Sequence, residues 1–244
     1  MANARSGPPD GGNGEGGPIR SRLRPEGSVL LIVLLIVLLA WGFVVLADVV
    51  SNGATDALDA RIVRSLRRES DLAATIGPEW LAVAARDVTS LGGAAVLSLA
   101  FLAVAGYLAL LKKPRAIVFL AAASLGGLAL DLTLKGIVSR PRPDVVPHLD
   151  RVATSSFPSG HSMLSAIVFL TLGTLVARVT PGRLAKLYVI SVALAATFLV
   201  GSSRVFLGVH YPTDVLAGWS AGLVWALVLE LLARFLQRRG AVEK

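Results

Sequence analysis

The 244-residue chain contains no cysteine, which excludes disulfides, thiol nucleophiles and cysteine-ligated metals. Histidine is scarce as well, with three in the whole chain. Charged residues make up 16%, against about a quarter in a soluble domain. The 16 acidic residues are outnumbered by 24 Lys and Arg, for a net charge of +8. Those cations are scattered between apolar runs instead of lying along one stripe, so membrane orientation accounts for them better than nucleic acid does. What the chain has in quantity is apolar residues, 54% of the total, with a mean hydropathy of +0.69. It reads as an integral membrane protein.

Residues 1–27 are rich in Gly and Pro and close on Arg20, Arg22 and Arg24, a composition that predicts a disordered cytoplasmic tail. Residues 29–47 carry no charge over 19 positions, close to the roughly 20 needed to cross a bilayer core, and read as an uncleaved anchor. Apolar runs follow at 92–111, 116–134, 163–177, 187–202 and 215–229. The expected fold is therefore all-α: a six-transmembrane-helix bundle over residues 28–236, followed by a cytoplasmic tail at 237–244. Small residues at 121–124, at Gly126 and Gly127, and at Ala193, Ala195 and Ala196 predict close helix approach.

Residues 54–86 separate the first two spans on the outer side. Within them, Leu58, Ile62 and Leu66 recur every four residues among Asp59, Arg61, Arg64, Arg67 and Arg68, which predicts an amphipathic helix over 55–72. Two placements fit it: in the interface, helping a lipid reach the site, or packed over the bundle. Gly77-Pro78 marks a turn, and Trp80 after it suits an interfacial anchor.

With the N-terminus inside, fourteen Lys and Arg fall on the inner side and ten on the outer, three of the ten belonging to the motifs described next. Both termini are expected in the cytoplasm. Helix parity then places the end of span three, the start of four, the end of five and the start of six at the outer face.

Those four ends carry the chemistry. Lys135 is followed after six residues by Arg142-Pro143; Pro158-Ser159-Gly160-His161 comes next; then Ser203-Arg204, five residues, His210, three residues and Asp214. Three cations, two histidines and a carboxylate in about 80 residues suit a phosphate ester: cations for the oxygens, one histidine to attack, another to give a proton, and an acid to orient the attacker. Pro212 puts His210 on a loop and Asp214 in the first turn of a helix, where its carboxylate can accept from one ring nitrogen. Ser159 is an N-cap candidate, and its hydroxyl and the Gly160 amide can bond phosphate at a helix start.

These three motifs, in this order and with these spacings, resemble the signature of the type 2 phosphatidic acid phosphatase family, which also includes vanadium haloperoxidases. The resemblance implies that His210 is the nucleophile of a phosphohistidine reaction, that Asp214 holds its ring, and that His161 is the general acid and then the base. Lys135, Arg142, Ser159, Gly160 and Arg204 would hold the phosphate, with neither metal nor cofactor. Beside these, Asp131 is expected to pair with Lys135 one turn away, and Glu230 with Arg234. Arg140 and His148 are expected to be solvated.

The implied protein is a metal-independent lipid phosphatase of the bacterial inner membrane with its site facing outward. Undecaprenyl diphosphate, phosphatidic acid and phosphatidylglycerol phosphate all offer a phosphate on an apolar anchor, with a slight preference for the polyprenyl diphosphate. A lipid phosphotransferase would share the phosphohistidine. A non-catalytic lipid carrier or translocator would need polar groups along a path through the bilayer, whereas the charges here gather at one face.

Overall fold

The computed structural model describes residues 25–150 and 154–238. Most of the two tails read at 1–27 and 237–244 lies outside these residues. Helix α1 runs over Pro25–Ser51, four residues earlier than the uncharged run, because proline is tolerated in a first helical turn. There follow α2 (Asp56–Ser65), a short antiparallel hairpin of β1 (Arg67–Arg68) and β2 (Asp71–Thr75), α3 (Glu79–Ser90), α4 (Ala94–Leu110), α5 (Pro114–Ile137), α6 (Gly160–Val179), α7 (Arg183–Phe206) and α8 (Pro212–Arg238).

Five of these helices, α1, α5, α6, α7 and α8, are long and apolar enough to span a membrane. The sixth span is α3 and α4 taken together, bent by 45° at a short break. Alone, the 17 residues of α4 rise about 25 Å, slightly short of a bilayer core. The long helices outrun the apolar runs because polar residues, among them the motif residues, occupy their first or last turns.

Helix α6 is the axis, packed against α5, α7 and α8, while α8 also packs on α1. Met163, Ala166 and Ile167 on α6 are fully buried. Close approach depends on the small residues. A Cβ added at Gly127 would stand 2.6 Å from Ile167 Cδ1, and one at Gly173 would stand 2.9 Å from the Cβ of Ala193. Leucines such as Leu30, Leu99 and Leu184 point outward, as lipid-facing side chains do.

The amphipathic helix between the first two spans is present but shorter than the expected 55–72, ending at Ser65. Its buried face includes a charge. Asp59 and Val63 are buried, while Leu58 is 56% exposed. The helix is rotated because Asp59 is drawn in by Arg140, a partner that the apolar spacing could not reveal. It therefore packs over the bundle. Arg67, placed by the hairpin, donates from Nη1 to the carbonyl of Phe206 at the end of α7 (2.8 Å).

Candidate active site

All the motif residues meet at one end of the bundle. Lys135 is in the last turn of α5 and Arg204 in the last turn of α7, while Asp214 lies in the first turn of α8. Ser159 caps α6, its hydroxyl accepting from Ser162 N (3.5 Å) and Ser162 Oγ (2.9 Å). Its own amide donates to the carbonyl of Asp214 (3.0 Å), tying the start of α6 to that of α8. His161, next along α6, sits under the break between α3 and α4, where a Cβ on Gly93 would lie 3.9 Å from its Nε2.

The loop between α7 and α8 turns at Gly208, whose φ of 74° is in the left-handed region that favours glycine. A Cβ there would also lie 2.5 Å from Arg67 Nη2. The turn delivers His210, 2% exposed, between two sets of partners. Its Nδ1 lies 3.5 Å from Asp214 Oδ2 and 3.4 Å from Ser156 Oγ. Its Nε2 lies 3.1 Å from Arg142 Nη1. Guanidinium nitrogens only donate, so the hydrogen bond assigns the lone pair to Nε2 and the proton to Nδ1, on the carboxylate side.

Both oxygens of Asp214 are fixed. Oδ2 accepts from Ser156 Oγ in a short hydrogen bond and from the Tyr211 amide (2.9 Å), and Oδ1 accepts from Arg140 Nη1 (2.9 Å). Burial pushes the His210 ring down to about 4; Asp214 pulls it back up, and Arg142 and Arg204 add to the lowering. The neutral imidazole is thus the resting form.

The cations surround this ring. Arg142 is held by the carbonyls of Val209 (2.7 Å) and Thr154 (2.8 Å). Burial and the nearby Arg204 push it down to about 10, so it stays charged. Arg204, 1% exposed, donates from Nη1 to Asp150 Oδ2 (2.6 Å) and Thr89 Oγ1 (3.0 Å), while its Nε has no hydrogen-bond partner. Lys135 pairs with Asp131 at 2.7 Å, as its helical spacing predicts. At the far end of the bundle Glu230 pairs with Arg234 (2.8 Å) and also with Arg178 (2.5 Å). His148 is exposed, with Nε2 2.5 Å from the carbonyl of Pro143.

Arg140 is not solvated. It is 8% exposed and bridges Asp56 (2.8 Å), Asp59 (2.9 Å) and Asp214 (2.9 Å), with its guanidinium 4.3 Å from the centre of the Tyr211 ring. Burial pulls its pKa down, but the three carboxylates more than offset that and hold it above the ordinary arginine value. Sequence reasoning also missed Ser156, Asp59, Thr213 and Asp150. Nothing in their local sequence marks them, because their partners lie 54 to 154 positions away. Among the described residues no group of three or more His, Asp or Glu could hold a metal ion.

Fold and site together define a multi-span membrane protein with a buried histidine–carboxylate pair ringed by cations. Residues 115–238 match the family model of the PAP2 superfamily, and the chain belongs to that superfamily. It is 33% identical over 205 residues to the phosphatidylglycerophosphatase B of Bacillus subtilis, covering 80% of this chain and 95% of that protein. It is 30% identical over 140 residues to a decaprenylphosphoryl-5-phosphoribose phosphatase of Mycobacterium tuberculosis, covering 56% and 72%. The crystal structure of a transmembrane PAP2-type phosphatidylglycerolphosphate phosphatase from Bacillus subtilis superposes with a TM-score of 0.75 at 29% identity, over 83% of this chain and 98% of the other.

Proposed function

We propose that this protein is a lipid phosphate phosphatase acting through a phosphohistidine at His210. The observation that carries the proposal is the pair of contacts on that ring: Nε2 faces Arg142 at 3.1 Å while Nδ1 faces Asp214 at 3.5 Å. A phosphoryl group drawn to Arg142 would meet the lone pair of Nε2. In the first step Nε2 bonds to phosphorus, the bond from phosphorus to the lipid oxygen breaks, and His161 gives that oxygen its proton. In the second, water attacks phosphorus, His161 takes its proton, the P–N bond breaks and phosphate leaves. Lys135, Arg142, Arg204, the Ser159 hydroxyl and the Gly160 amide hold the remaining oxygens and supply the charge stabilisation without a metal.

The relatives' names point to a phosphate monoester on a glycerolipid, or on a sugar carried by a prenyl phosphate, ahead of a polyprenyl diphosphate. The catalytic unit is residues 28–236, with flanking tails in the cytoplasm and the site open to the outer face of the bacterial inner membrane. Helix parity and the excess of Lys and Arg on the opposite side support this orientation. Phosphate release by detergent-purified protein, across phosphatidylglycerol phosphate, phosphatidic acid, a prenyl monophosphate and undecaprenyl diphosphate and with EDTA present, tests the reading. Hydrolysis of at least one monoester in EDTA is expected. No release from any of them, or release that EDTA abolishes and Mg²⁺ restores, contradicts it.

A further inference from the structure

Behind the His210–Asp214 pair, on the side away from Arg142, the guanidinium of Arg140 joins two parts of the molecule. Nη1 donates to Asp214 Oδ1 (2.9 Å) and Thr213 Oγ1 (2.8 Å) at the start of α8, and Nη2 donates to Asp59 Oδ2 (2.9 Å) and Asp56 Oδ1 (2.8 Å) on α2. Asp59 is 1% exposed and also accepts from the Thr213 amide (3.3 Å) and hydroxyl (2.5 Å). Asp59 and the rest of α2 precede the residues that the family model matches, 115–238. The unit of α2 and the hairpin grips the other end of the nucleophile loop too, through Arg67 and the carbonyl of Phe206.

We propose that Arg140 is a positioning residue for the reaction, acting through Asp214, and that Asp59 sets its orientation and effective charge. The amphipathic helix is thereby coupled to the nucleophile by an Asp59–Arg140–Asp214 relay. The inference rests on His210 being the nucleophile. A buried carboxylate with no cation beside it attracts a proton strongly. Arg140 satisfies Oδ1 of Asp214, fixes its rotamer with a planar fork, and leaves Oδ2 for the Nδ1 proton of His210. Its positive charge also moderates the pull of Asp214 on that proton, so the ring stays neutral and Nε2 keeps its lone pair. Asp59 partly offsets that charge. Asp56, whose side chain is 65% exposed, contributes less.

Several other groups face His210 and Asp214. Arg142, Arg204 and His161 lie on the phosphate side, with Asp150 beside Arg204; Ser156 and Tyr211 flank the carboxylate; Asp144 lies near Tyr211. None of these changes in the titrated relay variants, which alter the relay at two points of opposite charge; His161→Gln serves only to assign signals. Removing the cation should stabilise the protonated His210 ring. Removing the outer carboxylate should destabilise it.

The experiment is a titration of the full chain in detergent, labelled with ¹³C,¹⁵N-histidine, whose three ring signals are assigned with His148→Gln and His161→Gln. Arg140→Gln is expected to raise the pKa of the His210 ring by about one unit, and Asp59→Asn to lower it by less. Arg140→Lys, which keeps the charge but not the fork, should leave the pKa near wild type while kcat stays reduced. A loss of kcat in Arg140→Gln with the His210 pKa unmoved, or shifts of the same sign in Arg140→Gln and Asp59→Asn, would overturn the proposal. If Arg140→Gln does not fold, the near-isosteric Asp59→Asn decides alone: a downward shift supports the relay and an unmoved ring rejects it. The titration needs no turnover. A failed nucleophile assignment therefore shows up separately, as missing phosphohistidine with the pKa shifts intact.

Discussion

The ammonium of Lys135 lies against the backbone of Gly160: a Cβ on residue 160 would stand 2.5 Å from Nζ, and 3.1 Å from Oδ2 of its partner Asp131. Glycine at this position thus lets a cation from α5 reach the amide end of α6. Gly160→Ala should displace Lys135 and lower turnover by about 10², while the thermal midpoint changes little because the displaced atom is the end of a flexible side chain. In a Lys135→Met background the same substitution should cost little more. Equal losses in both backgrounds would mean that Gly160 acts independently of Lys135.

His161 and the cations are separable by leaving group. With a lipid alkoxide, which needs a proton to depart, His161→Ala should lower turnover by about 10² to 10⁴. With a nitrophenyl phosphate, whose phenolate leaves unaided, phosphohistidine should form at near wild-type rate and accumulate, since activation of water is still impaired. Arg142→Ala should slow formation of the intermediate with both substrates, by about 10² to 10³. Equal loss of intermediate formation with both substrates in His161→Ala would make His161 a phosphate ligand instead of the acid.

The neutral His210 has a consequence for stability. Its folded pKa of about 4 is below the ordinary value of about 6.5, chiefly through burial. As pH falls through that window the unfolded chain binds a proton that the folded protein does not, so stability should decline from about pH 6.5 and level off below about 4. His210→Gln should remove that part of the slope in thermal melts of detergent-solubilised protein. An unchanged slope would show that His210 is not the group responsible.

Much of this site was legible from the sequence, for reasons that can be traced to particular residues. Lys135, Arg204 and Asp214 lie at helix ends bounded by apolar runs, so parity alone put them at one end of the bundle, where the structure has them. The Lys135–Asp131 pair followed from four-residue spacing. Arg140 was misread because it lies two positions from a motif arginine and its partners on α2 are 81 and 84 residues away. Which side of α2 turns inward was not legible for the same reason. A period of apolar residues identifies an inward face only when no buried charge outweighs it, and Asp59 does so here.

Orientation can be tested in the same cysteine-free chain. His148, exposed at the site end, should react as His148→Cys with an impermeant maleimide in intact cells or spheroplasts. Lys113→Cys, at the opposite end between α4 and α5, should react only after permeabilisation. The reverse pattern would turn the site toward the cytoplasm.

The central claim is that a covalent bond forms between phosphorus and His210. Rapid quench of the purified protein with a ³²P-labelled lipid phosphate should trap an acid-labile, base-stable adduct that maps to residue 210 and decays at the rate of phosphate release. Folded His210→Ala should show neither adduct nor turnover. Turnover by that variant at near wild-type rate, or an adduct that maps elsewhere, would contradict the account.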